Sequence, residues 1–214
     1  MRHTAIVLLA AGSAALAACG DDDGSSPDGS ALVDAFDARA TALYEAEDRD
    51  RDEEFARGLA LDDCPILNDE HAEAVLAAAE IDADEPAARG GYLQGVPGES
   101  EILTCWLSGG DGPEDRVALT LGTTLRDVDQ VEQAVRRSGF PDAQRVEVDA
   151  PGLPDDEVLV LQVERSTKAY WVGDGFLVSV DLLSAEDEAP AADQERAAAT
   201  LAAAVEQVDD ALTG

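Results

Sequence analysis

Positive charge is scarce in this chain. Lys168 is the single lysine and thirteen arginines complete the basic set, against 47 acidic residues, for a formal net charge of −33. Such a surface repels phosphate backbones and anionic headgroups, which sets nucleic acid aside as a partner. Histidine is scarcer still, only His3 and His71, and the three cysteines show no C-x-x-C spacing, so a zinc site lacks donors. No metal or other cofactor is implied. The sequence has no G-x-S-x-G turn, no Ser-x-x-Lys pair, no P-loop and no dinucleotide glycine motif. Ser166-Thr167-Lys168 is one residue short, and Gly173-Asp174-Gly175 has no third glycine. Carboxylate pairs could act as acid and base, but with 47 acids an adjacency such as Asp155-Asp156 singles out nothing. No catalytic residue is assigned.

Long apolar runs are missing too, with one exception at the start. Met1-Arg2-His3 is followed by Thr4 to Ala18 without a charge. That run is shorter than the ~20 residues that span a bilayer as a helix, and fits the apolar region of a signal peptide. It ends in Leu16-Ala17-Ala18-Cys19, which resembles the bacterial lipoprotein signal. The resemblance implies diacylglycerylation of Cys19 and cleavage between Ala18 and Cys19. An ordinary secretory signal is the alternative, since Ala15-Leu16-Ala17 is also a small-residue cleavage site. Two acyl chains, at ~0.8 kcal/mol per buried CH₂, would hold the protein to a membrane where one is marginal.

An anchored Cys19 leaves Cys64 and Cys105 in an oxidising compartment, where pairing is expected. The rival is a metal pair, which would have to recruit His71 and a carboxylate. The acid itself reads either as cation capture or as a solvated surface. With so little lysine and so much alanine and arginine, the composition fits a GC-rich, salt-adapted actinobacterial source.

The division expected along the chain is a signal peptide over 1–18, a lipidated cysteine with a flexible acidic linker over 19–30, and one domain over 31–214. The linker (GDDDGSSPDGS) has almost nothing to bury. Ala31 to Glu47 has apolar residues at helical spacing behind Ser30 as a cap. Asp48-Arg49-Asp50-Arg51-Asp52 begins like an EF-hand, but Glu53 stands where glycine is needed and Leu59 where the bidentate glutamate belongs. Asn68 or Asp69 caps a second helix reaching about Ile81. Pro86 to Glu99, rich in Gly and Pro, reads as a loop.

From Ser100 the period becomes two. Ser100 to Leu107 reads as an interior strand, with Ile102 and Trp106 on one face and Leu103, Cys105 and Leu107 on the other. Arg116 to Leu125 returns beside it, Asp127 to Ser138 is a helix, and four strands follow over 144–149, 157–164, 167–172 and 175–183. The last three should form an antiparallel meander. A helix behind Pro190, striped by Leu201, Val205, Val208 and Leu212, closes the chain. The class is α+β: an antiparallel sheet of about six strands packed with helices.

Lipobox, acidic linker, Asp63-Cys64-Pro65-Ile66-Leu67 before a helix, and Cys105-Trp106 on a strand together resemble actinobacterial lipoproteins of the DUF3558 type. The likeness extends more loosely to envelope lipoproteins with a Mog1/PsbP-like α/β/α sandwich. It implies a disulfide joining the Cys-Pro segment to the Cys-Trp strand, and supplies no catalytic residues. The function expected is that of a non-enzymatic lipoprotein on the extracytoplasmic side of the cell membrane, binding an envelope protein or a small molecule. Trp106, Tyr170 and Trp171 are the aromatic candidates for that contact, and alternation sends Tyr170 and Trp171 to opposite faces. The alternative is a carboxylate-based hydrolase acting on cell-wall material.

Overall fold

A computed structural model describes residues 28–46, 58–96, 100–112, 114–123, 125–163, 165–183 and 191–214. Cys19, its cleavage site, the acidic linker up to residue 27 and the Asp-Arg repeat lie outside the described residues.

The first helix, α1 (Gly29–Ala46), starts two residues before the expected boundary. Asp28, rather than Ser30, supplies the cap. Its carboxylate accepts the Ser30 hydroxyl at 2.7 Å and the Ser30 backbone N–H at 3.1 Å. Those bonds, the hydroxyl first, hold the Asp28 carboxyl below its ordinary range. Leu32, Phe36, Ala40 and Tyr44 recur every four residues and form the buried stripe. The second helix, α2 (Asp69–Ala78), carries a reciprocal cap. The Asn68 side chain accepts from the His71 backbone N–H at 3.0 Å, and His71 Nδ1 accepts from the Asn68 N–H at 3.2 Å.

The sheet has eight strands, two more than the periodicity suggested: β1 (Leu59–Ala60), β2 (Ala87–Val96), β3 (Ser100–Ser108), β4 (Arg116–Gly122), β5 (Gln144–Val146), β6 (Val158–Val163), β7 (Ser166–Gly173) and β8 (Phe176–Leu183). All neighbours are antiparallel, in the order β1-β2-β3-β4-β8-β7-β6-β5. The meander β6-β7-β8 forms as expected, and β3 is interior. The correction is β2, which occupies most of the supposed loop. Its register slips between Arg89 and Tyr92, where Gly90 and Gly91 stand. A β-carbon on Gly91 would overlap the Thr104 carbonyl oxygen, and one on Gly90 the Leu61 carbonyl oxygen. Glycine here permits a bulge with close backbone approach, not a loop.

Two further helices are described, α3 (Val128–Arg137) and α4 (Ala191–Thr213). α1, α2 and α4 share one face of the sheet, where Leu103, Cys105, Leu107, Leu119, Val178, Val180 and Trp171 meet Leu32, Leu76, Leu201, Val205 and Val208. Ala197, Ala198 and Ala204 are fully buried, so small side chains bring α4 close to the strands. Among the described residues, the other face has only α3. Val128 and Val131 pack in one cluster with Leu159 and Leu161 of β6, Val172 of β7 and Leu177 of β8. The architecture is α+β, with one face of the sheet covered by the described helices and the other covered by them in part. No described helix is long and apolar enough to cross a membrane.

Candidate functional site: an open sheet face

Alternation on β3 places Cys105 inward and Trp106 outward. Cys105 is fully buried and bonded to Cys64, with 5.5 Å between their α-carbons. The expected disulfide is therefore present, and it clamps the segment before α2 onto the strand. Trp106, its neighbour, is 47% exposed, on the side where no described helix covers β3.

Register sets what lies beside it. One row of Cα partners runs Arg89–Trp106–Ala118–Asp181–Lys168 across β2, β3, β4, β8 and β7. The next runs Tyr92–Thr104–Thr120–Ser179–Tyr170. Partners in a row project to the same side, about 4.8 Å apart strand to strand. The middle positions are small: Ala118, Thr104, Thr120 and Ser179, all partly exposed, with the two threonine hydroxyls 3.4 Å apart. Trp106 and Tyr92 rise on one side. Tyr170 and Lys168 rise on the other, where the cover of α3 begins. The result is a shallow trough with an aromatic wall and a hydroxyl-bearing floor.

These rows and the Arg116 position beside them carry three basic residues against two carboxylates, Asp181 and Asp63, the latter opposite Arg89 in an isolated antiparallel bridge. Lys168 is in contact with Asp181. Arg89 faces Trp106 directly, and Arg116, two residues before Ala118 on the same side of β4, lies on its diagonal. Among the described residues, neither of these exposed guanidiniums is in an ion pair; Arg116 donates only to the Asp111 carbonyl at 3.2 Å. Arg136 and Arg145, farther along this face, are held by Glu132 and Asp129. Tyr170 titrates well above the ordinary tyrosine range, because burial and then the Asp181 carboxylate disfavour its phenolate.

The three aromatic candidates thus part company. Trp106 is on the open face. Tyr170 shares that face but is half-buried against the α3 cluster. Trp171 points into the core, fully buried, with its indole N–H donating to Glu157 Oε2 at 2.8 Å. Sequence reasoning missed Tyr92 and Arg89, because the glycines around them read as loop. His71 is a capping residue, with Nε2 3.5 Å from Asp210 Oδ2 on α4.

Two clefts lie elsewhere. One, of about 900 Å³ beside β5, has a valine floor with Glu147, Asp149, Asp155 and Glu195 around it. The other, of about 620 Å³, is lined by Asp34, Asp37, Arg126 and Asp174. Among the described residues, no group of three or more His, Cys, Asp or Glu side chains could hold a metal ion. No family model, curated protein or solved structure matches the chain.

Proposed function

We propose that this chain is a lipid-anchored envelope protein, held through Cys19 on the extracytoplasmic side of the membrane, which binds a ligand or partner on the open half of its sheet. The anchor rests on Leu16-Ala17-Ala18-Cys19 and its likeness to the lipoprotein signal. The Cys64–Cys105 bond supports an oxidising setting. The likeness of the Asp-Cys-Pro and Cys-Trp motifs to DUF3558-type lipoproteins points the same way. The observation that carries the binding role is Trp106. A large aromatic ring stands in water on an otherwise ordered sheet, flanked by Tyr92 and two guanidiniums, and core packing does not account for it.

Metabolic labelling with a palmitate analogue tests the anchor: the native chain takes the label and Cys19→Ala does not. A photo-crosslinking aromatic residue at position 106 tests the face. Adducts form in intact cells from that position, and not from the exposed Glu206 position on α4. Absence of both label and adduct would overturn the reading. A hydrolase acting on cell-wall material would instead have to use the cleft beside β5, since four carboxylates line it. Turnover of wall fragments that vanishes in Asp155→Asn or Glu195→Gln would select that alternative.

A further inference from the structure

We infer that the trough on the open face binds an acidic polysaccharide, one whose sugar rings carry carboxylates. This rests on the binding role proposed above and names the class of ligand. Three features of the surface converge on it.

The first is charge. On the open rows Arg89, Arg116 and Lys168 outnumber the carboxylates of Asp181 and of Asp63, which stands opposite Arg89 in an isolated bridge, in a chain whose formal net charge is −33. Basic groups this rare, gathered on a face that no described helix covers and two of them outside any described ion pair, complement a negative ligand. Guanidinium forks take carboxylates in a bidentate geometry, and sites beside an indole exclude part of the competing water.

The second is shape. Trp106 offers a flat ring to the C–H face of a sugar, and Tyr92 on the adjacent strand extends that platform. The floor presents the hydroxyls of Thr104, Thr120 and Ser179, suited to hydroxyl-rich ligands. From Trp106 to Asp181 is two strand steps, about 10 Å, the span of roughly two sugar rings.

The third concerns the rival ligand, an acidic peptide. A peptide recognised as an added strand needs a free sheet edge. The trough lies on a face, where β3, β4, β8 and β7 are each paired on both sides. Its floor of small residues offers no deep pocket for side chains. A ring-shaped, polyhydroxylated ligand fits it better.

The test uses the full chain in detergent and calorimetric titration with a galacturonate oligomer, a neutral glucan oligomer and poly-glutamate. The uronide should bind, the glucan more weakly, and poly-glutamate least. Trp106→Ala should weaken uronide binding roughly tenfold, as loss of a central aromatic contact does. Joint Arg89→Gln and Arg116→Gln substitution should weaken it similarly and flatten its salt dependence. Unchanged emission from buried Trp171 shows that each variant is folded. Equal binding by Trp106→Ala, tighter binding of poly-glutamate, or no uronide binding would each overturn the inference. Crosslinking at position 106 in cells separates the two levels. Adducts without uronide affinity sink the polysaccharide alone, and no adducts with no affinity sink the binding face as well.

Discussion

Cys105 and Trp106 leave the same strand in opposite directions, one into a buried disulfide with Cys64 and the other into solvent. The bond on one side of β3 therefore fixes the strand that displays the indole on the other. Rigidity of the platform follows from the covalent link to the segment before α2, and a rigid platform loses less entropy when it binds.

Reduction should show this first. The bridge closes a sequence separation of 41 residues, so its loss costs about 4 kcal/mol by the chain-entropy relation. Urea unfolding with and without reductant measures it. Cys64→Ala and Cys105→Ala should each match the reduced native chain.

The two tryptophans should separate by their accessibility. Acrylamide quenches Trp106 efficiently and leaves Trp171 almost untouched, since the latter is wholly buried. Trp106→Phe should leave a single blue-shifted, poorly quenched emission, and an unshifted, quenchable spectrum would contradict the assigned faces.

Trp171 depends on Glu157 for its N–H. Glu157→Leu leaves a buried donor unsatisfied and should cost about 1–3 kcal/mol. Glu157→Gln keeps an acceptor at that position and should recover most of the loss in the same denaturation experiment.

Much of this fold could be read from residue spacing. The two-residue period of Ser100–Ser108 and the three-strand meander announced themselves because apolar side chains there face covered surfaces. β2 did not. Its Gly90-Gly91 pair looks like turn chemistry in a linear chain, and only the neighbouring Leu61 and Thr104 carbonyls reveal why side chains are forbidden there. That Trp106 and Cys105 take opposite faces was legible, but not that no described helix would cover the face of Trp106. That depends on where α3 packs, against β6, β7 and Leu177 of β8, a tertiary outcome with no local signature.

Gly91→Ala tests that explanation. A methyl group would collide with the Thr104 carbonyl of the paired strand, and backbone cannot yield as a flexible side chain can. Destabilisation of roughly 3 kcal/mol is expected, whereas Gly152→Ala, in open space at positive φ, should cost only its modest backbone strain.

Tyr170 gives the molecule an alkaline limit. Its phenol ionises less readily in the folded chain than at the ordinary value of 10.0, so the neutral form is the folded one. Its contribution to stability is complete below about pH 10 and declines as the unfolded chain's phenol begins to ionise above it. Tyr170→Phe should flatten that part of a plot of urea midpoint against pH between about 9 and 11.

The sheet margins have a consequence for life at high local density. On one side the chain from Leu59 to Cys64 shadows β2, with Leu61 donating to Gly91, Gly90 to Asp62 and Cys64 to Ala88. On the other, β5 is only three residues long and Pro151 follows soon after. Among the described residues, neither border leaves a long row of free amides on which another chain could template itself. Molecules crowded side by side would meet blunted margins, and growth into fibrils would find no seam to extend.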